Sequence, residues 1–260
     1  MATGKITEPR ALTDADPVFA EMAMELWRVR KARAMVKARR EEVYELMRET
    51  HARAKDNGLK GDLTVGKIGE SHYVMRSATV HPKPRRTVSS ARAKKAAPVL
   101  WKRANTTIDR VGIAAPKGLA VPSAKDLGLR LPAMPDQFNR WDRDVLGIVT
   151  RYQKVADAPW AEKEKQLKKA LREYSIEHLG FIEPGEMTSR QMQWDGTPVV
   201  FGDGWKVGLT VTQYDGELFE KIAPKAVFNA LAEEVIPAPY ERVYLATADA
   251  PDGQLTEIAD

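Results

Sequence analysis

The sequence predicts an α+β protein made of two helix–β-hairpin–helix units, with a long N-terminal helix and a linker between the units. Three observations favour this class. From Pro17 to Lys55 the chain is rich in helix-forming residues and has no internal Gly or Pro. Two segments, 59–80 and 197–212, have the β-branched residues and glycine turns of hairpins. Residues 112–135 are spaced by Gly and Pro, which is typical of an extended connection.

This connection sets the predicted domain boundaries. Its spacing residues are Gly112, Pro116, Gly118, Pro122, Gly128, Pro132 and Pro135. We therefore expect a basic domain over residues 1–111, a linker over 112–135 and a second α+β domain over 136–260.

The first helix is the strongest local signal. Asp14, Asp16 and Pro17 are suited to start it after a polar arm, and Asn57-Gly58 is suited to end it. A seam with alternating spacings of four and three runs through Met22, Leu26, Val29, Arg33, Val36, Arg40, Val43 and Met47. Because Arg33 and Arg40 interrupt this apolar seam, its middle should meet water, a carboxylate or a phosphate.

The rest of the first domain reads as a hairpin and a helix. The hairpin is predicted over 59–80, around the turn Gly66-Lys67-Ile68-Gly69. A helix is predicted from Thr87 to about Asp109, with Ser89 or Ser90 as its cap and Pro98 as an interruption.

A second cycle of elements follows the linker. We expect a short helix over 136–150 and a more strongly indicated helix from Ala158 to Leu179, which Gly180 ends. A hairpin is predicted over 197–212 around the turn Gly202-Asp203-Gly204. A helix over 224–235 and a strand from Glu241 to Thr247 complete the second cycle. The run from Gly69 to Val74 matches the run from Gly202 to Val207 in a glycine, an acidic residue, a small residue, an aromatic residue or His, and a final Val at the same spacing. This similarity indicates either an internal duplication or convergence, since glycine turns recur in many hairpins.

Charge is distributed unevenly along the chain. Residues 71–108 carry nine Lys or Arg and no Asp or Glu, whereas residues 181–260 carry five basic and fourteen acidic residues. The net charge of +5 therefore combines a basic pole around residues 71–108 with an acidic pole over residues 181–260. Such asymmetry favours a polyanion or an acidic partner.

The basic pole supplies the candidate nucleic-acid site. A second acid-free run, from Leu26 to Arg40, adds further cations, and Trp27, Tyr73 and Trp101 lie among them as stacking on single strands requires. The predicted nucleic-acid-binding residues are Arg33, Lys37, Arg40, Arg76, Lys83, Arg85, Arg86, Arg92, Lys94 and Lys95. The alternative is that these cations lie on solvated helix faces and that the aromatic residues are core.

The acidic pole offers a different site. Its carboxylates are suited to bind the basic half of the same or a neighbouring molecule, to imitate a DNA backbone, or simply to keep the chain soluble. Residues 194–219 are the most aromatic stretch and supply a candidate protein interface of Trp194, Trp205, Tyr214 and Phe219. These residues also suit a hairpin core.

Several classes of function find no support in the sequence. The absence of cysteine excludes disulfides, thiolate metal sites and cysteine nucleophiles. The phosphate-binding, dinucleotide-binding and serine-hydrolase motifs are missing, and the four histidines share no metal-ligand spacing. We expect no catalytic residues, no metal and no cofactor. Without a long apolar run or a signal peptide, we also expect no membrane partner and a cytoplasmic location.

The order of elements in residues 17–110 resembles a known family. A long charged helix, a glycine-containing hairpin and a basic helix are similar to the host-nuclease inhibitor Gam of phages, which binds duplex DNA ends as a dimer. The Lys/Arg-rich and Ala-rich character also resembles proteins of actinobacterial phages. The resemblance implies that Arg76, Lys83, Arg85 and Arg86 contact DNA. The linker, the second cycle and the acidic end have no counterpart in that family.

Two functional hypotheses follow. The first is a non-enzymatic phage-type protein, acting in the host cytoplasm during infection, that binds DNA and protects DNA ends or assists recombination. The second is a protein-interaction module, such as an anti-defence inhibitor or a virion-assembly component, that acts through its acidic and aromatic C-terminal half. In either case a homodimer is compatible with the apolar seam of the long helix, and the helix over 158–179 is the alternative partner for that seam within one chain.

Overall fold

The computed structural model describes residues 16–134, 145–179, 199–200 and 204–250, and the structural statements below refer to these residues. The predicted N-terminal arm, Gly180, the Gly202-Asp203 turn and the C-terminal tail lie outside them. The fold is α+β, as predicted, with a long N-terminal helix and small antiparallel sheets. In chain order the elements are α1 (Pro17–Asp56), β1 (Leu63–Ile68), β2 (Ser71–Val80), β3 (Arg85–Thr87), α2 (Ser90–Ala96), α3 (Pro98–Arg103), β4 (Asn105–Ala114), α4 (Val145–Gln153), α5 (Ala158–Leu179), β5 (Val199–Val200), β6 (Lys206–Tyr214), α6 (Gly216–Ile222), α7 (Lys225–Leu231), β7 (Glu233–Val235) and β8 (Tyr240–Thr247).

Helix α1 forms where the sequence predicts it. A side-chain oxygen of Asp16 accepts a hydrogen bond from the backbone N–H of Phe19 at 2.9 Å, which caps the first turn. The helix runs for 40 residues and is followed by Gly58, whose φ of 89° is the left-handed conformation of a helix stop. Its apolar seam is buried at Leu26, Val29 and Val43.

The chain forms two compact units, each assembled from three separate stretches. Over its described residues, unit 1 draws on 1–27, 82–120 and 165–237, and unit 2 draws on 28–81, 121–164 and 238–260. The units therefore alternate along the sequence, in contrast to the predicted division at the 112–135 segment.

Unit 2 contains a three-stranded antiparallel sheet in the order β1-β2-β8. Strands β1 and β2 form the first predicted hairpin, but its turn is Gly69-Glu70, and Gly66 lies within β1 at a register shift. Gly66 has a φ of 124°, which side chains rarely adopt, so glycine is required at this bulge. The core packs Val43 and Met47 of α1 with residues of the three strands and with Ile148 of α4.

Unit 1 contains a second three-stranded antiparallel sheet, in the order β4-β6-β5. Strand β6 pairs with the short β5, as the second predicted hairpin requires, and also with β4. The core packs Phe19 and Leu26 of α1 with Leu171 of α5 and with Val207 and Leu209 of β6.

Two helix predictions extended too far. The helix expected from Thr87 to Asp109 consists of α2 and α3 only, and the chain continues from Asn105 as strand β4. The β-branched run around Thr106 and Ile108 favours a strand once β6 offers a pairing edge. The helix expected over 224–235 ends at Leu231, and residues Glu233–Val235 form β7, paired with β3.

The two sheets share an arrangement. In each, the second strand of a hairpin is central, and the third strand comes from the other half of the sequence: β8 joins β2, and β4 joins β6. Neither half of the chain can therefore complete its own sheet.

Candidate nucleic-acid interface

The structure separates the nine cations of the acid-free stretch. Arg76 lies on β2 in unit 2, and the other eight lie in unit 1 on β3, α2, α3 and the segment before them. We call these eight exposed residues the cationic surface: Lys83, Arg85, Arg86, Arg92, Lys94, Lys95, Lys102 and Arg103.

Arg76 has a structural role. Its side chain is buried, with 8% exposure, and its Nε donates to an Asp62 carboxylate oxygen at 2.8 Å. A terminal nitrogen donates to the backbone oxygen of Ala250, also at 2.8 Å. A buried guanidinium held in this way is not presented to a phosphate, so the structure sets Arg76 apart from the other predicted nucleic-acid-binding residues.

Arg33 meets carboxylates, one of the three environments expected for the middle of the seam. Its Nε and one Nη donate to the two oxygens of Asp157 at 2.8 and 2.7 Å, and the other Nη donates to Glu164 at 2.8 Å. These hydrogen bonds hold the pKa of the Asp157 carboxyl below its ordinary value and raise the pKa of Arg33. Arg33 therefore joins α1 to the start of α5 within unit 2, and its donors are committed there.

The two remaining α1 candidates have different surroundings. The Arg40 guanidinium lies 4.3 Å from the ring centroid of Tyr152, a cation–π contact. The Lys37 ammonium is 3.7 Å from an Asp157 oxygen, and its side chain is 51% exposed. Of the three α1 cations predicted to bind nucleic acid, Lys37 has the most accessible charge.

Local sequence explains how the cationic surface is presented. Helix α2 buries only Ala93, so Arg92, Lys94 and Lys95 all point to solvent. The Ser89 hydroxyl caps α2 by accepting from the Arg92 N–H at 3.4 Å. Helix α3 starts at Pro98, a residue suited to the first turn.

The two short helices are fixed to each other. The Trp101 indole N–H of α3 donates to the Ser90 hydroxyl of α2 at 2.9 Å, and the Lys94 ammonium lies 5.1 Å from the Trp101 ring centroid. Below them, Ala93 packs in a core with Phe219 of α6 and Phe228 of α7. Helices α2 and α3, which carry five of these cations, are therefore held together over a common core.

Part of the acidic pole reaches this surface. Arg92 donates to Glu233 at 2.7 Å and to the backbone oxygen of Leu231 at 3.2 Å, and Arg86 lies opposite Glu234 in the β3–β7 pair. Arg86 also donates to Asn229 at 2.9 Å. Arg86 and Arg92 are therefore held by neighbouring side chains. Within the described part of the chain, five other exposed cations of this surface form no ion pair: Lys83, Arg85, Lys95, Lys102 and Arg103.

The predicted aromatic interface is placed differently. Trp205 is 7% exposed and meets Trp27 edge-on, with centroids 5.6 Å apart, and Phe219 is fully buried. The Tyr214 hydroxyl donates to the backbone oxygen of Val88 at 3.2 Å, and burial raises the pKa of this phenol. Trp194 lies outside the described residues. Trp205 and Phe219 are core residues and cannot contact a partner in this fold.

Sequence reasoning left two useful cations out of the site. Lys102 and Arg103 fall in the acid-free stretch and end α3 with exposed side chains. Their position in that stretch was the signal available. Among the described residues, no group of three His, Asp or Glu side chains is placed to hold a metal ion. Within that same part of the chain, no helix is long and apolar enough to cross a membrane.

No family model matches this chain, and neither the curated proteins nor the solved structures include a significant match.

Proposed function

We propose that the chain is a non-enzymatic, phage-type DNA-associated protein that binds nucleic-acid phosphates through the cationic surface of unit 1. The observation that supports this proposal is the density of exposed charge: eight Lys and Arg side chains between residues 83 and 103, with no acidic residue among them in sequence. Protection of DNA ends or assistance to recombination are the roles that such sequence-independent binding would serve.

The electrostatics favour this partner. Each phosphate neutralised by a Lys or Arg releases condensed counterions, so a surface with several cations gains affinity without reading bases. Arginine adds bidentate hydrogen bonding to phosphate, which Arg85 and Arg103 can supply from exposed positions.

The resemblance to Gam supports the same surface in part. Of the four DNA contacts that it implies, Lys83, Arg85 and Arg86 belong to the cationic surface, whereas Arg76 is an internal residue of unit 2. The protein-interaction alternative loses two of its proposed contacts, since Trp205 and Phe219 are buried.

A salt series on matched variants tests the proposal. We expect the full chain to bind a fluorescently labelled duplex, with affinity that falls steeply as salt rises. The triple variant Lys95→Gln, Lys102→Gln, Arg103→Gln should lose roughly a hundredfold in affinity at about 0.1 M salt, and its log–log salt slope should fall by about 2 to 3.

The control removes the same charge elsewhere. Lys163, Lys165 and Lys169 are exposed on α5, and their replacement by Gln should change duplex affinity much less. Equal losses in both triple variants would show that only overall charge matters, and salt-independent binding would contradict the proposal.

A further inference from the structure

Strand β8 has two faces of different chemistry. Val243 and Leu245 pack into the core of unit 2. On the same side of the strand, the Glu241 carboxylate accepts a hydrogen bond from the Lys55 ammonium of α1 at 2.5 Å. The alternate residues, Tyr240, Arg242 and Tyr244, therefore stand on the opposite face, because successive side chains of a strand point to opposite sides.

The neighbouring strand continues this opposite face. In the antiparallel register of β2 and β8, Val80 lies across from Tyr240, Ala78 from Arg242 and Arg76 from Tyr244. We call these six residues the tyrosine face. Tyr240 is 54% exposed and Ala78 is exposed.

One end of the tyrosine face is held rigidly. Arg76 is fixed by Asp62 and by the Ala250 carbonyl, and beyond it Ala246 is fully buried. The open end, around Tyr240 and Ala78, is supported by paired backbone on both strands. The rings are thus carried by a sheet and need little ordering when a ligand arrives.

The spacing of the three β8 side chains suits a row of stacking partners. Alternate residues on one side of a strand are about 7 Å apart, so Arg242 stands between Tyr240 and Tyr244 along β8. Every nucleobase has a π-face, and aromatic rings and Arg planes both stack on it with little sequence preference. In a duplex those π-faces are covered by neighbouring bases, whereas in a single strand they can be splayed onto a sheet.

We propose that the tyrosine face of unit 2 is a stacking site for single-stranded nucleic acid, with Tyr240 and Tyr244 as the base-stacking residues. The aromatic–cation–aromatic order on a sheet face that is exposed at Tyr240 and partly exposed at Arg242 and Tyr244 is the observation that selects this ligand. The site lies in the other unit from the cationic surface and does not rest on it.

The test compares two double variants of the full chain, one without the aromatic rings and one that keeps them. Fluorescence anisotropy is measured with a labelled oligothymidylate of roughly 20 nucleotides and with a duplex of the same length. Tyr240→Leu with Tyr244→Leu removes both rings but keeps apolar bulk, and it should lose roughly a hundredfold in affinity for the single strand. Tyr240→Phe with Tyr244→Phe keeps both rings and should stay within about twofold of the parent.

Three further readouts separate stacking from charge and from misfolding. Duplex affinity and the salt slope should be the same for the Leu pair as for the parent, because no charge is removed. An oligonucleotide carrying 5-iodouracil should crosslink to Tyr240 or Tyr244 in the parent. Thermal unfolding of both variant pairs confirms that the sheet is intact, since both tyrosines lie outside the core cluster.

The outcomes distinguish this inference from the proposed function. Single-strand binding that is unchanged in the Leu pair, or binding of duplex alone, overturns the stacking site and leaves the cationic surface as proposed. Single-strand binding that needs the tyrosines supports the stacking site, and if duplex affinity is unchanged when Lys95, Lys102 and Arg103 are replaced, the proposed function is overturned while the stacking site stands. A chain that binds neither nucleic acid, for example because the face meets a protein, overturns both.

Discussion

At the scale of single residues, the same residue type plays opposite roles in this chain. Arg33 and Arg76 are committed to carboxylates and carbonyls, whereas Arg85 and Arg103 extend into solvent. A guanidinium whose donors are already taken gains little from a phosphate, because it must first give up charge-assisted hydrogen bonds. Charge density in the sequence therefore overstates the cations available to a ligand.

Buried His51 gives a pH-dependent prediction at this scale. The side chain is 2% exposed, and burial, with the nearby Lys55 charge, lowers its pKa below the ordinary value of 6.5; the Glu241 and Asp62 carboxylates oppose this shift. Because the unfolded chain binds the proton more tightly, stability should be full above pH 6.5 and fall as the pH drops from there through the lower native pKa.

Denaturant unfolding between about pH 8 and pH 5 measures this effect. His51→Gln should flatten the decline over that window, whatever it does to stability at the upper end. An identical slope in the two proteins would show that protonation of His51 is not coupled to unfolding.

At the scale of elements, α1 and α5 are joined by charged side chains that the sequence alone would place on the surface. Asp157 precedes α5, accepts the Ala161 N–H of its first turn at 2.9 Å through its backbone oxygen, and holds Arg33 of α1 through its carboxylate. Glu164, about two turns after Asp157, is buried and also accepts from Arg30 at 3.0 Å. The ion pairs thus fix α1 against the beginning of α5 in unit 2.

Removal of Arg33 tests this joint. Arg33→Ala leaves the buried Glu164 carboxylate with fewer donors, and we expect a loss of about 2 kcal/mol in the free energy of unfolding. Lys37→Ala, at 3.7 Å from Asp157 on an exposed side chain, should cost less than about 0.5 kcal/mol. The free energies of unfolding of the two variants are compared by urea denaturation. Equal small losses would mean that the Arg33 ion pairs contribute no more to stability than an exposed pair.

At the scale of the whole molecule, the exchange of third strands ties the two halves of the sequence into both units. Strand β2 pairs with β8 over eight residues, and β4 pairs with β6 over a similar length. A central strand without its partner exposes a row of unpaired N–H and C=O groups and one open apolar face. Each half of the chain should therefore be unstable alone.

Fragments test this dependence. Residues 1–135 and 136–260, produced separately, should show no cooperative thermal transition, because each lacks one strand of one three-stranded sheet and two strands of the other. Mixed together, they should regain a transition and the dispersed amide NMR spectrum of the intact chain. A folded and cooperative 1–135 fragment would contradict the exchange and favour the sequential domains.

The sequence was a good guide to local structure and a partial guide to the site. It located α1 and α5 to within about one residue, because their caps and uninterrupted helix formers act over a few residues. It also identified six of the eight members of the cationic surface. It extended the helix after Thr87 into β4, since the strand preference of that segment is realised only by pairing with β6, about a hundred residues away.

What the sequence by itself determined is the α+β class, the long helix and the concentration of cations between Lys83 and Arg103. Only the tertiary structure decided which strands pair, which arginines are occupied and which aromatic rings are exposed. Arg33 and Asp157 are 124 positions apart, and Arg76 and Ala250 are 174 apart. Such long-range partners depend on how the whole chain packs. Helix periodicity, caps and charge runs depend only on residues a few turns apart, so they can be predicted from the sequence.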